Sequence, residues 1–192
     1  IDHCLVGSEM CIRDRDKGPL SYSLRNSGAC SSRANAIPTE NIVNYAAGTY
    51  ATPNTGYFAG GNTGKSNVSR IDYSNDTATA VEKGSLNTGR RNLGATSSSS
   101  FGYFAGGRSP SNPSGVSTVD RINYLNDTAT ALAKGPLSIT KYGMGATGNE
   151  NFGYFGGGVG DPSRSKIDRI DYSNDTATAS PKGRLDHGAY HL

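Results

Sequence analysis

One hexapeptide, Asn-Asp-Thr-Ala-Thr-Ala, occurs three times in this chain, starting at Asn75, Asn126 and Asn174. A second motif, Gly-Tyr-Phe followed by Ala/Gly-Gly-Gly, starts at Gly56, Gly102 and Gly153, spacings of 46 and 51 residues. Lys-Gly recurs at Lys17, Lys83, Lys134 and Lys182. Self-similarity at such a period means that one small unit is built repeatedly and stacked, because a single unit cannot hide its apolar faces from water. From Lys-Gly to the next Gly-Tyr-Phe is 19 residues in two intervals and 39 in the first, so an insertion is expected within Ser31–Thr55.

Each unit divides into four short strands. In the clearest one, Tyr142–Thr147 is expected as a first strand and 148–151 as a turn. Phe152–Gly157 follows as a second strand, Ile167–Tyr172 as a third, and Thr176–Ala179 as the start of a fourth. The third strand alternates with period two. Ser173-Asn174-Asp175 has turn chemistry, since Asn and Asp bond their own backbone. Phe155, Ile170 and Tyr172 are candidates for the apolar layer between units, with counterparts Phe58, Ile71, Tyr73 and Phe104, Ile122, Tyr124. The Gly doublets at 60–61, 106–107 and 157–158 are expected where backbones approach closely. Arg70 with Asp72, and Arg169 with Asp171, are expected to pair along one strand face. The fold class expected is all-β, with four-stranded antiparallel sheets.

Composition excludes more than it assigns. Net charge is +3 with both signs interspersed, which argues against nucleic-acid or membrane partners. No apolar run approaches the ~18 residues that cross a bilayer. The three His are His3, His187 and His191, so no His-based metal or nucleophile site is expected within the array. Asn62-Thr63-Gly64-Lys65-Ser66 carries the Gly-Lys-Ser of a phosphate loop, but Ala59 stands at the required first glycine and a strand follows instead of a helix. The three Asn-Asp-Thr triplets fit a glycosylation acceptor, and are read as turns. No cofactor and no catalytic residue is expected.

The feature order resembles the kelch repeat. Tyr57-Phe58-Ala59-Gly60-Gly61, Tyr103-Phe104-Ala105-Gly106-Gly107 and Tyr154-Phe155-Gly156-Gly157-Gly158 match its aromatic and Gly-Gly doublet. Tyr73, Tyr124 and Tyr172 match its third-strand Tyr, and Arg91 and Lys141 fall near its basic position. The family's fourth-strand Trp is absent, with Thr79, Thr130 and Thr178 or their Ala neighbours in its place. The resemblance covers residues 16–192 and implies an incomplete β-propeller. About three blades are expected, around 56–101, 102–152 and 153–192, with a partial unit at 16–55 and another at the far end. The near-identity of the units also resembles repeat proteins of marine phage and plankton metagenomes, which implies a virion or surface-associated protein. Residues 4–15 resemble the translation of a sequencing-library adapter, and residues 1–15 are left out of the fold reading.

Where repeats are scaffold, their differences carry function. The segments Asn62–Ser69, Arg108–Asp120 and Val159–Asp168 differ in length, at 8, 13 and 10 residues, and should emerge on one face. Candidate binding residues are Asn62, Lys65 and Ser66, then Arg108, Ser111 and Asn112, then Asp161, Ser163 and Arg164. Their polar, adaptable side chains suit a protein or glycan surface. The function expected is a non-catalytic binding module. The alternative is a fragment of a propeller enzyme of the galactose-oxidase-like kind, with its catalytic residues in further blades.

Overall fold

A computed structural model describes residues 28–31 (as backbone), 54–162 and 164–190. The expected adapter segment at 1–15, the start of the first partial unit and most of the insertion lie outside the described residues.

The described chain is all-β. Twelve strands form three four-stranded antiparallel meanders. The first sheet contains β1 (Gly28–Ser31), β2 (Thr55–Ala59), β3 (Val68–Asp72) and β4 (Val81–Glu82). The second contains β5 (Gly94–Ser97), β6 (Phe101–Ala105), β7 (Val119–Asn123) and β8 (Leu132–Lys134). The third contains β9 (Gly145–Gly148), β10 (Phe152–Gly156), β11 (Lys166–Asp171) and β12 (Ser180–Arg184). Their first strands meet, β1 against β5 and β5 against β9. Each sheet begins one strand before its Gly-Tyr-Phe, which itself forms the second strand.

Between the third and fourth strands the chain departs from expectation. The third strand stops one residue early, and Tyr172–Asn174 forms one turn of 3-10 helix, as do Tyr73–Asn75 and Tyr124–Asn126. The residue before each turn caps it. Asp171 accepts from Ser173 N at 3.0 Å, Asp72 from Ser74 N at 2.9 Å and Asn123 from Leu125 N at 3.0 Å. These bonds hold the Asp72 and Asp171 carboxyls below their ordinary pKa. The two Asp therefore serve as caps and form no ion pair with Arg70 or Arg169. Thr176–Thr178 is used up in the turn, closed by Ala177 N to Asn174 O at 3.2 Å, so the fourth strand starts at Ser180.

Two apolar cores lie between the sheets, and they are copies of each other. The first joins Tyr57, Ala59, Val68, Leu86 and Leu93 to Phe104, Ile122, Tyr124 and Ala131. The second joins Tyr103, Ala105, Val119, Leu137 and Met144 to Phe155, Ile170 and Ala179, with Tyr172 packed alongside. Period two explains the arrangement. In Gly-Tyr-Phe the Tyr points to the following sheet and the Phe to the preceding one, so each sheet has two apolar faces. Expectation named the Phe, Ile and third-strand Tyr, and missed the Tyr of Gly-Tyr-Phe. On the first sheet it also overreached: Phe58 and Ile71 are half-buried, and Tyr73 is 37% exposed where Tyr124 is 6%.

The second and third sheets each enclose a buried ion pair. Arg90 reaches Asp120 at 2.8 Å and bonds the carbonyls of Thr118 and Phe104. Lys141 reaches Asp168 at 3.2 Å and the Phe155 carbonyl at 2.9 Å. All four side chains are inaccessible to water. Burial lowers the pKa of both cations, and each carboxylate opposes that shift. The residue equivalent to Lys141 is thus Arg90. Arg91, the expected basic position, instead pairs by backbone with Arg108. On the first sheet buried Ser69 stands at the position of Asp120 and Asp168.

Candidate functional site

The three repeated motifs meet at one place between successive sheets. Asp127, from the hexapeptide of the second sheet, accepts from three donors of the first. Tyr57 Oη lies at 3.0 Å, Arg70 Nη1 at 2.7 Å and Lys83 Nζ at 3.3 Å. Asp175 of the third sheet repeats this with the second, through Tyr103 Oη at 3.0 Å, Arg121 Nη1 at 2.7 Å and Lys134 Nζ at 3.1 Å. Both Asp are under a tenth exposed, at 8% and 7%. An unpaired carboxylate there would be costly, and two cations plus a phenol satisfy it. Burial, then the neighbouring carboxylate, pushes the Tyr57 phenol up to about 12 and raises Tyr103 as well.

Stacked rings and backbone bonds close the joint. Tyr57 stacks on Tyr124 with centroids 5.0 Å apart, and Tyr103 on Tyr172 at 4.8 Å. Offset stacks of this kind add about 0.5–1.5 kcal/mol beyond burial. The Gly of Lys-Gly donates to the Asp carbonyl, Gly84 to Asp127 and Gly135 to Asp175, each at 2.8 Å. That approach requires glycine. A Cβ on Gly84 or Gly135 would stand 1.9 Å from the carbonyl oxygen of Ala129 or Ala177.

These joints hold a ridge of loops. The β2–β3, β6–β7 and β10–β11 connections span 60–67, 106–118 and 157–165, so the ends of the expected variable segments are strand. The second Gly of each doublet has positive φ and bonds the segment that follows the fourth strand of its own sheet. Gly61 N reaches Arg90 O at 3.0 Å, Gly107 N reaches Lys141 O at 2.9 Å, and Gly158 N reaches Ala189 O at 2.8 Å. Arg91 bridges to Arg108, Val116 to Lys141 and Tyr142 to Val159. Loops and connections therefore alternate along one face.

The candidate residues divide by role. Asn62, Lys65, Ser111, Asn112 and Arg164 are exposed on this face, and Ser66 is half-buried. Arg108 is committed to the scaffold: its guanidinium lies 4.4 Å from the Tyr142 ring and bonds the Pro113 carbonyl. Asp161 accepts from the backbone of Ser165 and Lys166 and from Arg184 at 3.2 Å. Arg164 stacks on Tyr190 at 4.4 Å. Ser163 lies outside the described residues. Thr63 (φ 64°) and Arg164 (φ 51°) both adopt left-handed backbone, which is costly for a β-branched residue and is held by surrounding structure. The Asn62–Ser66 segment turns directly into β3, with Gly64 against Pro110 of the next loop.

At the opposite end, a groove of about 390 Å³ lies between the hairpin turns of the second and third sheets, beside Phe101, Phe152 and Tyr172. No helix among the described residues is long and apolar enough to cross a membrane.

No protein-family model matches the chain, and no curated protein matches it. Among solved structures it is similar to that of YjhT, at a TM-score of 0.59 and 12% identity, over 71% of this chain and 51% of that one. The chain thus spans about half the length of that structure, and the likeness is one of all-β fold.

Proposed function

We propose that the chain is a non-catalytic binding module whose sheets pack radially, as in a kelch-like propeller, and whose loop ridge contacts a protein or glycan. One observation carries the reading: identical motifs are spent on the joints, and the segments that differ between units line a single face. The meeting of first strands β1, β5 and β9 supports a radial array. The exposed groups on the ridge are amide, hydroxyl, ammonium and guanidinium, which suit a hydrated surface.

The test is a glycan array and a displayed-peptide library screened with the full chain. Asn62→Ala, Lys65→Ala and Asn112→Ala together should abolish binding of any selected ligand while leaving the unfolding temperature unchanged. Retained binding would assign recognition to another face.

A further inference from the structure

Three segments of the loop ridge converge where the first sheet meets the second. Gly64 lies against Pro110, and Lys65 O accepts from Arg90 N at 3.0 Å. Arg91 and Arg108 pair beside them, exchanging both backbone bonds at 3.0 and 2.8 Å. The segments 60–67, 84–93 and 106–118 contain no Asp or Glu. Their cations are Lys65, Arg90, Arg91 and Arg108, and of these only Arg90 has a carboxylate, the buried Asp120. Glu82, which flanks them, is engaged by Asn67.

The Arg91–Arg108 pair is unfavourable as it stands. Opposite residues of a bonded antiparallel pair put their side chains on one side of the ladder, with Cα atoms about 5.5 Å apart, and like charges there repel. Arg108 is not free to swing away. Its Nε donates to the Pro113 carbonyl, and its guanidinium lies 4.4 Å from the centre of the Tyr142 ring. Arg91 is half-buried, and its side chain makes no hydrogen bond or ion pair among the described residues. The same holds for exposed Lys65. The scaffold does not need these cations. At the equivalent bridge of the third sheet stand Tyr142 and Val159, a cross-strand pair that carries no charge. The repulsion is thus particular to this one place on the ridge, and an anion would relieve it.

The surroundings narrow the class of molecule that carries the anion. Among the described residues, no large exposed apolar side chain falls in the three segments. The apolar anchors of a peptide and the bases of a nucleic acid therefore find nothing to pack on. Exposed Asn62, Ser111 and Asn112 offer amides and a hydroxyl, which match the hydroxyls of a sugar. One guanidinium satisfies both oxygens of a carboxylate, whereas an ester sulfate or phosphate has three oxygens to share between two cations.

We propose that Arg91 and Lys65, in the field of the fixed Arg108 charge, bind the ester sulfate or phosphate groups of a polysaccharide. The proposal rests on the loop ridge being the binding face, and it names that face's ligand.

The test is fluorescence anisotropy of the full chain against labelled dextrans of one length, at physiological ionic strength. The dextrans bear sulfate esters, phosphate monoesters, carboxymethyl groups or no charge. At least one of the two ester forms should bind at least about tenfold more tightly than the carboxymethyl form, and the tighter of the two names the source of the anion. Arg91→Gln should weaken that binding at least about tenfold and Lys65→Gln about threefold, both with the unfolding temperature unchanged. Lys182→Gln removes the same charge outside these segments and should change it less than about twofold. Equal losses in Arg91→Gln and Lys182→Gln would overturn the proposal, since net charge alone would then explain binding. Carboxymethyl dextran that binds as tightly as both esters would overturn it as well. If no charged dextran binds while a neutral glycan or a peptide is captured and then lost with the ridge variants, this proposal falls and the ridge remains the binding face. If no ligand of any kind binds, both fall.

Discussion

Among the described residues the glycine of Lys-Gly occurs in three equivalent places, and the joint predicts different fates for them. At Gly135 an added Cβ would lie 1.9 Å from the Ala177 oxygen and 2.4 Å from its carbon. Carbon and oxygen do not approach within 3.0 Å, so one backbone must retreat by more than 1 Å. The segment that must move carries Asp175, whose carbonyl accepts from Gly135 and whose carboxylate holds three side chains. Overpacking costs about 1–3 kcal/mol, and a loosened backbone hydrogen bond adds about 1 kcal/mol. Gly135→Ala should therefore lose about 2–4 kcal/mol, or about 5–15 °C in Tm for a chain of this size. Gly135 and Gly183 both lack positive φ, so the contrast between them is steric. A Cβ on Gly183 would meet nothing within 4 Å among the described residues, so Gly183→Ala should stay within about 0.5 kcal/mol of wild type. Urea unfolding, monitored by tyrosine fluorescence at a concentration where the chain is monomeric, compares them. Equal losses at the two sites, or a harmless Gly135→Ala, would refute the joint as the reason for the glycine.

Other consequences follow from the buried charges. Lys141→Met leaves Asp168 buried without its cation and should cost about 3–5 kcal/mol in urea unfolding. The double variant Lys141→Met with Asp168→Leu should recover most of that loss. The Tyr57 phenol ionises near 10.0 in the unfolded chain and about 12 in the folded one. Its contribution is complete below pH 10.0 and disappears as pH rises to about 12, because the unfolded chain gives up this proton first. The stability difference between wild type and Tyr57→Phe should shrink across that window. Lys141, lowered by burial, acts with the opposite sign, so the difference between variants is the quantity to follow.

Strand content and hairpin turns were legible because period two and Asn-Asp chemistry are local. The partners of the buried polar groups were not. Asp127 meets Tyr57 across 70 residues and Arg70 across 57, and no local pattern says which sheet a strand face will meet. The recurrence of Asp six residues after an Arg and seven before a Lys was the available signal, and it read as turn and surface chemistry. Arg90 was passed over for Arg91 because adjacent cations have the same composition. Only the path of the connection into the sheet buries Arg90 and leaves Arg91 bridged to Arg108. Arg108 and Asp161 looked like ligand-binding groups because loop polarity does not reveal Tyr142 beneath one or the turn amides around the other.

The central claim, that one aspartate locks the second sheet to the first and another locks the third to the second, is tested most directly by a double-mutant cycle. Arg121→Met and Asp175→Asn, singly and together, should give a coupling of about 1–3 kcal/mol in urea unfolding. The same cycle between Asp175 and Arg169, which share a sheet and make no ion pair, should be additive within about 0.5 kcal/mol. Additivity between Arg121 and Asp175 would mean that the sheets are held by their apolar faces alone, and would contradict the account.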